Sequence, residues 1–261
     1  MKKYFFLLAL VIYSSVSFGQ LRVGGRNINV QKATEAVSNL ATAITLSDED
    51  VTRLCREAIE WMDANNPVLP EDEEIYGARL KRLTQNFTHY KGLNLNFKVY
   101  HVVDINAFAC GDGSIRVFSS LMDVMTDDEL LGVIGHEIGH IHNTDVKDAI
   151  KTAYTTSGLL SAASAAGGTV GKLSDSQLGS LVSSFTDSQF SQKQEYAADD
   201  FALQFCTDNN INPYAMALSL EKLVELFGSD SSSKVAKMFS SHPDSEKRAV
   251  RARELADKMA Q

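Results

Sequence analysis

The spacing of apolar residues predicts α-helices over most of the chain. From Val30 to Asn65 apolar residues recur on one helical face, and Ser47 with the three acidic residues behind it forms an N-terminal cap. Pro67 and Pro70 end this helix, because proline lacks a backbone donor and clashes with the preceding turn. Helical spacing is also found over residues 71–89, 188–209, 213–227 and 244–259. Within the first of these, the positions expected to face the core are Ile75, Leu80, Leu83 and Phe87.

Only one region has the two-residue period of a β-sheet. Residues 96–103 alternate between apolar and polar positions. Residues 107–120 are predicted to form two short strands around the turn Gly111-Asp112-Gly113. The sheet is therefore small and precedes most of the helices. Together these patterns predict an α+β fold that is mainly α-helical.

One predicted helix carries candidate chemistry, and it starts at Thr126. Glu129 follows three residues later and completes a capping box. About two turns further on, the apolar run is interrupted by His136, Glu137 and His140 in the pattern H-E-x-x-H. An unpaired ionisable group would be costly in such a run, which favours a metal site over two incidental histidines.

His136 and His140 are four residues apart, so both imidazoles lie on one face of the helix and can bind one zinc ion. Glu137 lies about 100° round the helix, close enough to take a proton from a water that the ion activates. One large class of zinc peptidases has the longer pattern H-E-x-x-H-x-x-G-x-x-H, which would require Gly at position 143 and His at position 146. Asn143 and Val146 stand at those two positions, so that class is excluded.

The third zinc ligand has to come from elsewhere, since His142 is two residues from His140 and points to another face of the helix. Glu195 and Asp199 are four residues apart on a predicted helix, as the two histidines are. Glu195 is predicted to be the third ligand. Asp199 is predicted to accept a hydrogen bond from the other ring nitrogen of His136. The alternative for the two acids is an exposed helix face.

The length of the chain agrees with one domain, and its N-terminus predicts export. Of the 261 residues 44% are hydrophobic and 22% charged, and the net charge of -8 argues against nucleic acid as a partner. Residues 1–19 are predicted to be a signal peptide, with two lysines, a short apolar run, and small residues at Ser17 and Gly19. The mature chain would start at Gln20, without the cysteine of a lipid anchor. It is expected to be soluble or at most peripheral to a membrane, in the periplasm or outside the cell.

Two further segments and the three cysteines also carry expectations. Residues 20–46 are expected to be helical or partly disordered. Residues 149–171 are rich in small residues, and the pattern leaves open a small-residue helix or a mobile loop, which could serve as a lid or plug. Buried thiols are favoured for the three cysteines, and one disulfide is possible, although the sequence does not choose the pair. The cysteines are Cys55, Cys110 and Cys206.

The order of the motifs resembles peptidase family M48, in particular its small exported branch. HEIGH is followed by EYAAD, while INAFACGDGSIRVFSSLMD precedes them and SHPDSEKRA comes after. The resemblance implies that residues 47–261 form a zincin-like catalytic domain that binds one zinc ion, with the small sheet at the edge of the active-site cleft. It also implies that an edge strand binds the substrate through main-chain hydrogen bonds. That strand consists of Asn106, Ala107, Phe108 and Ala109.

The resemblance further implies roles for His242 and Arg248 near the metal. They would stabilise the oxyanion or, for the histidine, cap the zinc in a resting state. The hypothesis is a zinc-dependent endopeptidase of the cell envelope that degrades misfolded or damaged proteins. The alternative is a metal-containing, chaperone-like binder of envelope proteins with little proteolysis. A general base at Glu137 counts against a pure binder, because binding alone does not need one.

Overall fold

The computed structural model of the chain describes residues 21–23, 26–28, 46–159, 171–227 and 241–259. The helices in these ranges are α1 (Asp48–Asn65), α2 (Gly77–Thr84), α3 (Ser119–Val124), α4 (Asp127–His142), α5 (Asp145–Thr156), α6 (Asp175–Thr186), α7 (Gln192–Asp208), α8 (Ala215–Phe227) and α9 (Ser245–Met259). The strands are β1 (Leu21–Val23), β2 (Arg26–Ile28), β3 (Val68–Leu69), β4 (His89–Tyr90), β5 (Leu93–Asn94), β6 (Asn96–Tyr100), β7 (Ala107–Ala109) and β8 (Ser114–Phe118). The predicted class, mainly helical with a small sheet, is confirmed.

The sheet that matters for the site has four strands in the order β3-β6-β8-β7. Strands β6 and β8 are parallel to each other. Strand β3 pairs antiparallel with β6 at one side of the sheet, and β7 pairs antiparallel with β8 at the other. Within the described residues β7 pairs on one side only, so its outer edge offers backbone groups to another extended chain.

Helix α4 forms the centre of the packing. Its residues from Glu129 to Ile141 are buried, because the sheet covers one side and helices α7 and α8 cover the others. Glycines allow this close approach. A Cβ at Gly139 would lie 3.0 Å from the Cα of Ala198 on α7, and a Cβ at Gly132 would lie 2.7 Å from the backbone of Ala215 on α8. Larger residues at these two positions would push the neighbouring helices away.

The predicted helix over residues 71–89 is wrong in its first third. The helix begins only at Gly77 and is followed by a 3-10 turn over Gln85–Phe87, while Ile75 is 66% exposed instead of inward. The side chain of Glu73 accepts hydrogen bonds from the backbone N–H groups of residues 75, 76 and 77. This arrangement holds the chain in turns before the helix starts. The apolar period alone could not reveal the competing hydrogen bonds.

The expectations for the N-terminal part are tested only in places. Residues 1–20 lie outside the described residues, and so does the predicted signal peptide. In the segment 20–46, β1 and β2 pair as antiparallel strands where a helical or partly disordered segment was expected. The sequence signal for a hairpin is the pair Gly24-Gly25 between them.

The small-residue segment 149–171 starts inside α5, so its residues 149–156 are helical, and α5 ends at Thr156. Residues 160–170 lie outside the described residues, so the choice between helix and loop stays open for them, as does the role of lid or plug. No described helix is long and apolar enough to cross a membrane. Cys55, Cys110 and Cys206 are buried free thiols, and the Cys110 thiol donates to the carbonyl oxygen of Cys55 at 3.6 Å.

A buried ion pair joins α1 to the sheet. Arg116 on β8 is 1% exposed, and its guanidinium donates to both carboxylate oxygens of Asp63 at 2.8 and 3.0 Å. Lys98 and the hydroxyl of Tyr100 donate to the same carboxylate, each at 2.7 Å. Burial by itself raises the pKa of Asp63, but the three donors outweigh it and hold the pKa below its ordinary value of 3.8.

We expect Asp63→Asn to lower the free energy of unfolding by about 3–5 kcal/mol, because it leaves the buried guanidinium of Arg116 without a counter-charge. Lys98→Met is the matched control. It removes a partner that is 38% exposed and should cost no more than about 1 kcal/mol. Urea unfolding of both variants at neutral pH measures the difference, and equal losses would contradict the assignment.

The same pair predicts a pH dependence. A carboxyl group whose pKa is lowered by folding stabilises the protein above its unfolded pKa, and this contribution is lost as the pH falls through the folded value. Below about pH 3.8 the wild type should therefore lose stability more steeply than Asp63→Asn. Parallel curves for the two proteins in acid would argue against the interaction.

Candidate metal centre

The position of the two histidines is fixed by the start of α4. Thr126 and Glu129 form the predicted capping box, in which the Glu129 carboxylate accepts from the backbone N–H of Thr126 at 2.7 Å. His136 and His140 then face α7 from the middle of the helix, with their Nε2 atoms 3.0 Å apart. They are 3% and 0% exposed, so neither imidazole is in contact with bulk water.

Glu195 on α7 faces the histidine pair. Its Oε1 lies 3.5 Å from Nε2 of His140, and its Oε2 lies 3.6 Å from Nε2 of His136. The Nδ1 atom of His242, from the turn before α9, lies 3.0 Å from Oε1 of Glu195. One donor atom from each of these four buried residues lies within 4.8 Å of the others. The structure thus brings together residues from three separate parts of the chain.

These donors fit a zinc ion. Zinc bonds to imidazole nitrogen and carboxylate oxygen are about 2.0–2.2 Å long, so two donors on one tetrahedral ion lie about 3.3 Å apart. The separations of 3.0, 3.5 and 3.6 Å among His136, His140 and Glu195 are close to that value. The set of two nitrogens and one carboxylate is also typical of catalytic zinc, which keeps a further position open.

Each histidine is oriented by a carboxylate on its other ring nitrogen. Asp199 Oδ1 lies 2.9 Å from Nδ1 of His136, which is the contact predicted from the sequence. Asp145 Oδ2 lies 2.9 Å from Nδ1 of His140. Such contacts turn the Nε2 atoms of both rings towards the common point and fix their tautomers.

Asp145 was not among the residues predicted from the sequence. It lies at the start of α5, directly after Thr144, which adopts a left-handed conformation with φ of 65°. This residue reverses the chain after α4 and brings Asp145 back towards His140. Asp145 is five positions from His140, a separation that does not place two side chains on one face of a helix. Helical spacing therefore gives no signal for the contact. The position of an acid just past the end of the H-E-x-x-H helix is the only signal that was available.

Phe190 is a second residue of the site that was not predicted from the sequence. Its ring stacks on the imidazole of His140, with the ring centres 4.0 Å apart and the planes at 17°. The backbone N–H of Phe190 donates to the carbonyl oxygen of Ser241 at 3.2 Å. The segment before α7 is thereby joined to the segment that carries His242.

Arg248 on α9 is 1% exposed and lies behind the cluster. It donates to the two oxygens of Asp199 at 2.9 and 2.7 Å, and it forms an ion pair with Glu195. Burial by itself raises the pKa of Asp199, but Arg248 and His136 outweigh it and lower the value to about 2. Burial likewise acts to raise the pKa of Glu195, but His242, His140 and His136 hold it well below its ordinary range.

The two histidines differ in their protonation. Burial, followed by the nearby Arg248, lowers the pKa of His136 to about 3, so this ring is neutral and offers a lone pair. Burial acts in the same direction on His140, but hydrogen bonds with Asp145 and Glu195 raise its pKa to about 9. A proton on His140 is therefore held by the same carboxylates that would stabilise a bound cation.

Glu137 is 2% exposed and lies beside the donors rather than among them. Its Oε1 has no hydrogen-bond partner in the described part of the chain and lies 3.8 Å from Nε2 of His242. Burial raises the pKa of Glu137. A buried carboxylate oxygen that has no hydrogen-bond partner among the described residues, next to the candidate metal-ligand atoms, is positioned to receive a proton from a small molecule held between them.

The predicted substrate strand adjoins this group. Residues 107–109 form β7, and Asn106 precedes it, 7% exposed, with an Oδ1 atom that has no partner among the described residues. Asn106, Phe108 and Ala109 line a cavity that also contacts Glu137 and His242, while Ala107 faces the core below. His142 is exposed and contacts Phe201, outside the cluster, as predicted.

A buried H-E-x-x-H helix with a facing carboxylate and an adjoining cleft is typical of metalloproteases. In this class the glutamate of the H-E-x-x-H motif is not a metal ligand. The model of peptidase family M48 matches residues 77–256 of this chain. The chain belongs to peptidase family M48 and is a metalloprotease, which confirms the resemblance noted in the sequence.

Individual relatives agree with the family assignment. Metalloprotease LoiP of Escherichia coli (strain K12) is 38% identical over 97% of this chain and 96% of its own length. Metalloprotease YcaL of the same organism is 33% identical over 97% of this chain and 98% of its own length. A protease HtpX homolog of Persephonella marina is 27% identical over 59% of this chain and 66% of its own length.

The carboxylates behind the histidines predict a change in metal affinity. We expect Asp199→Asn and Asp145→Asn each to weaken zinc binding by roughly 10–100-fold, because the imidazoles lose the acceptors that orient them. Competition with a chromophoric chelator measures the dissociation constants. Asp200→Asn and Asp148→Asn are the matched controls, since these acids are exposed on the same two helices. Affinities equal to those of the controls would show that the contacts do not orient the ligands.

Proposed function

We propose that this chain is a zinc-dependent endopeptidase in which His136, His140 and Glu195 hold the ion and Glu137 is the general base. The observation that carries the proposal is the buried Oε1 atom of Glu137, which has no hydrogen-bond partner among the described residues and lies beside three donors spaced for one zinc ion. A structural zinc site would not need such a carboxylate beside its ligands.

The substrate is proposed to bind as an extended polypeptide along the free edge of β7. Pairing with this strand uses main-chain hydrogen bonds and therefore accepts many sequences. Because Asn106, Phe108 and Ala109 lie on the same cavity as Glu137, the paired chain passes directly by the candidate base. The Oδ1 atom of Asn106, which has no hydrogen-bond partner among the described residues, is available to a backbone N–H of the substrate.

The chemistry of the chain's own residues then follows. Zinc in the site would polarise the scissile carbonyl and make water a stronger nucleophile near neutral pH. Glu137 takes a proton from the attacking water and passes it to the leaving amine. Burial raises the pKa of Glu137 towards the operating pH, where a carboxylate both accepts and returns a proton efficiently.

His242 and Arg248 receive different roles. The Nε2 atom of His242 lies 3.8 Å from Oε1 of Glu137, which supports a role for this imidazole in stabilising the oxyanion. Its Nδ1 atom lies within the donor cluster, which also supports the role of a cap on the metal. The guanidinium of Arg248 contacts Asp199 and Glu195 instead of the cavity, so we assign to it the positioning of these acids in place of an oxyanion contact.

We further propose that the enzyme is exported and degrades misfolded or damaged proteins of the cell envelope. Support comes from the signal-like pattern of residues 1–19 and from the resemblance to the exported branch of the family. An edge strand that binds extended chains without strong sequence demands also suits unfolded clients. N-terminal sequencing of the protein recovered from an expressing bacterium should give Gln20 as the first residue. An intact Met1 would refute export by this route.

We expect Glu137→Gln to bind zinc with unchanged stoichiometry while its kcat on unfolded casein falls by roughly 100–10,000-fold, because the amide cannot accept a proton. Glu195→Ala should instead lose most of the zinc. Metal analysis after dialysis and a fluorescent casein assay measure the two properties separately.

Asp200→Asn provides the control for Glu195→Ala, since Asp200 lies on the same helix and pairs only with Arg251 at the surface among the described contacts. Its zinc content and activity should match the wild type. Cleavage by Glu137→Gln at the wild-type rate would remove Glu137 from the mechanism. A wild type that holds clients under saturating zinc without cutting them would favour the chaperone-like binder.

A further inference from the structure

The imidazole of His140 is held at its two nitrogen atoms. Oδ2 of Asp145 lies 2.9 Å from Nδ1, while Nε2 faces the other donors of the cluster, 3.0 Å from Nε2 of His136 and 3.5 Å from Oε1 of Glu195. A ring held at two atoms can still turn about the line that joins them. An imidazole nitrogen binds a metal through a lone pair in the ring plane, so a well-defined site also needs that plane to be fixed.

Phe190 makes the contact that fixes the plane of His140. The two rings are stacked, with their centres 4.0 Å apart and their planes at 17°. The ring contacts described for His136 are different, because this imidazole meets His140 at 88° and His242 at 67°. Stacking on a phenylalanine therefore distinguishes one candidate ligand of the H-E-x-x-H motif from the other.

Hydrogen bonds on both sides hold the chain at Phe190 in place. Its backbone N–H donates to the carbonyl oxygen of Ser241 at 3.2 Å. The next residue, Ser191, caps α7, and the side-chain amide of Gln192 donates to Asp244 at 2.8 Å. The segment is thus joined both to the helix that carries Glu195 and to the turn that carries His242. The Phe190 ring is placed against His140 before any metal binds.

Phe190 also separates His140 from the neighbouring cavity. The half-buried Phe190 lines a cavity of about 230 Å³ that contacts Glu137 and His242. His140 is 0% exposed and does not line this cavity, because the aromatic ring covers it on that side. Hydrogen bonds are stronger where water is excluded, so the ring also protects the contact between His140 and Asp145.

We propose that Phe190 is a positioning residue of the zinc site, whose ring fixes the plane of the His140 imidazole and keeps water in the cavity away from it. This inference rests on the proposed function, because His140 has to be a zinc ligand. Phe190 offers no ligand atom itself. Loss of its ring should therefore leave the ligand set complete but let zinc leave faster.

We expect Phe190→Ala to raise the zinc dissociation rate by roughly 10–100-fold, the range typical of a lost outer contact of a metal ligand. Transfer of zinc to an excess of a chromophoric chelator at neutral pH measures this rate. The visible absorption of the cobalt-substituted protein should also change, because these bands depend on ligand geometry. Phe190→Tyr keeps a flat ring and should restore both properties.

Phe118→Ala is the matched control. Phe118 is another half-buried phenylalanine on the same cavity, but its described ring contacts are with Tyr100 and Phe108 instead of a histidine. The same truncation there should leave the zinc dissociation rate and the cobalt spectrum close to those of the wild type. Phe190→Leu covers the case in which Phe190→Ala does not fold, since leucine stays apolar but lacks a flat ring and should also release zinc faster. Melting temperatures of the zinc-free variants record the cost of each change to the fold.

The outcomes separate the two proposals. If His140→Ala binds zinc as tightly as the wild type, His140 is not a ligand and the proposed function fails. If His140→Ala loses zinc but Phe190→Ala and Phe190→Leu release it no faster than Phe118→Ala, the positioning role is overturned while the endopeptidase remains. Release from Phe190→Tyr as fast as from Phe190→Ala would overturn it as well, because a flat ring would not be what holds the imidazole.

Discussion

Two carboxylates of one helix, Glu195 and Asp199, meet the buried guanidinium of Arg248 behind the candidate metal centre. Both acids are at most 2% exposed, and carboxylates buried to this extent are not tolerated without a counter-charge. Arg248 provides that charge, and in doing so it holds α9 against α7. The orientation of His136 follows, because its ring contacts the same Asp199. The geometry of the centre therefore depends on a residue that does not line the cavity shared by Glu137 and β7.

The sequence predicted the parts of the site that obey helical spacing. His136 and His140 lie one turn apart on α4, as Glu195 and Asp199 do on α7. The capping box at Thr126, which defines the start of α4, was predicted, whereas the one at Ser191 before α7 was not. These are local features, so the pattern of a few neighbouring residues contains them. The close approach of α4 and α7 is also visible in the sequence, because the small residues Gly135 and Gly139 lie on the face of α4 that α7 covers.

The features that sequence reasoning missed depend on contacts between distant segments or on backbone reversals. Asp145 reaches His140 only because Thr144 adopts a left-handed conformation, and Phe190 stacks on the same ring from the loop before α7. Helix α6 contacts Trp61 from more than a hundred positions away, which no periodicity encodes. The error at Ile75 has the opposite origin, since a polar side chain there satisfies the backbone and stops a helix that the apolar pattern favoured.

The edge of β7 that no described strand covers has a consequence for which proteins such an enzyme can cut. A strand that is already paired within a folded client has few backbone groups left for β7, so on the proposed function the client must open before it binds. When opening and closing are fast compared with cleavage, the rate follows the fraction of open molecules. A client destabilised by about 1.4 kcal/mol would then be degraded about ten times faster with no change in its cleavage site. The enzyme would then select its clients by their local stability, because the folding equilibrium of each client determines how often it opens.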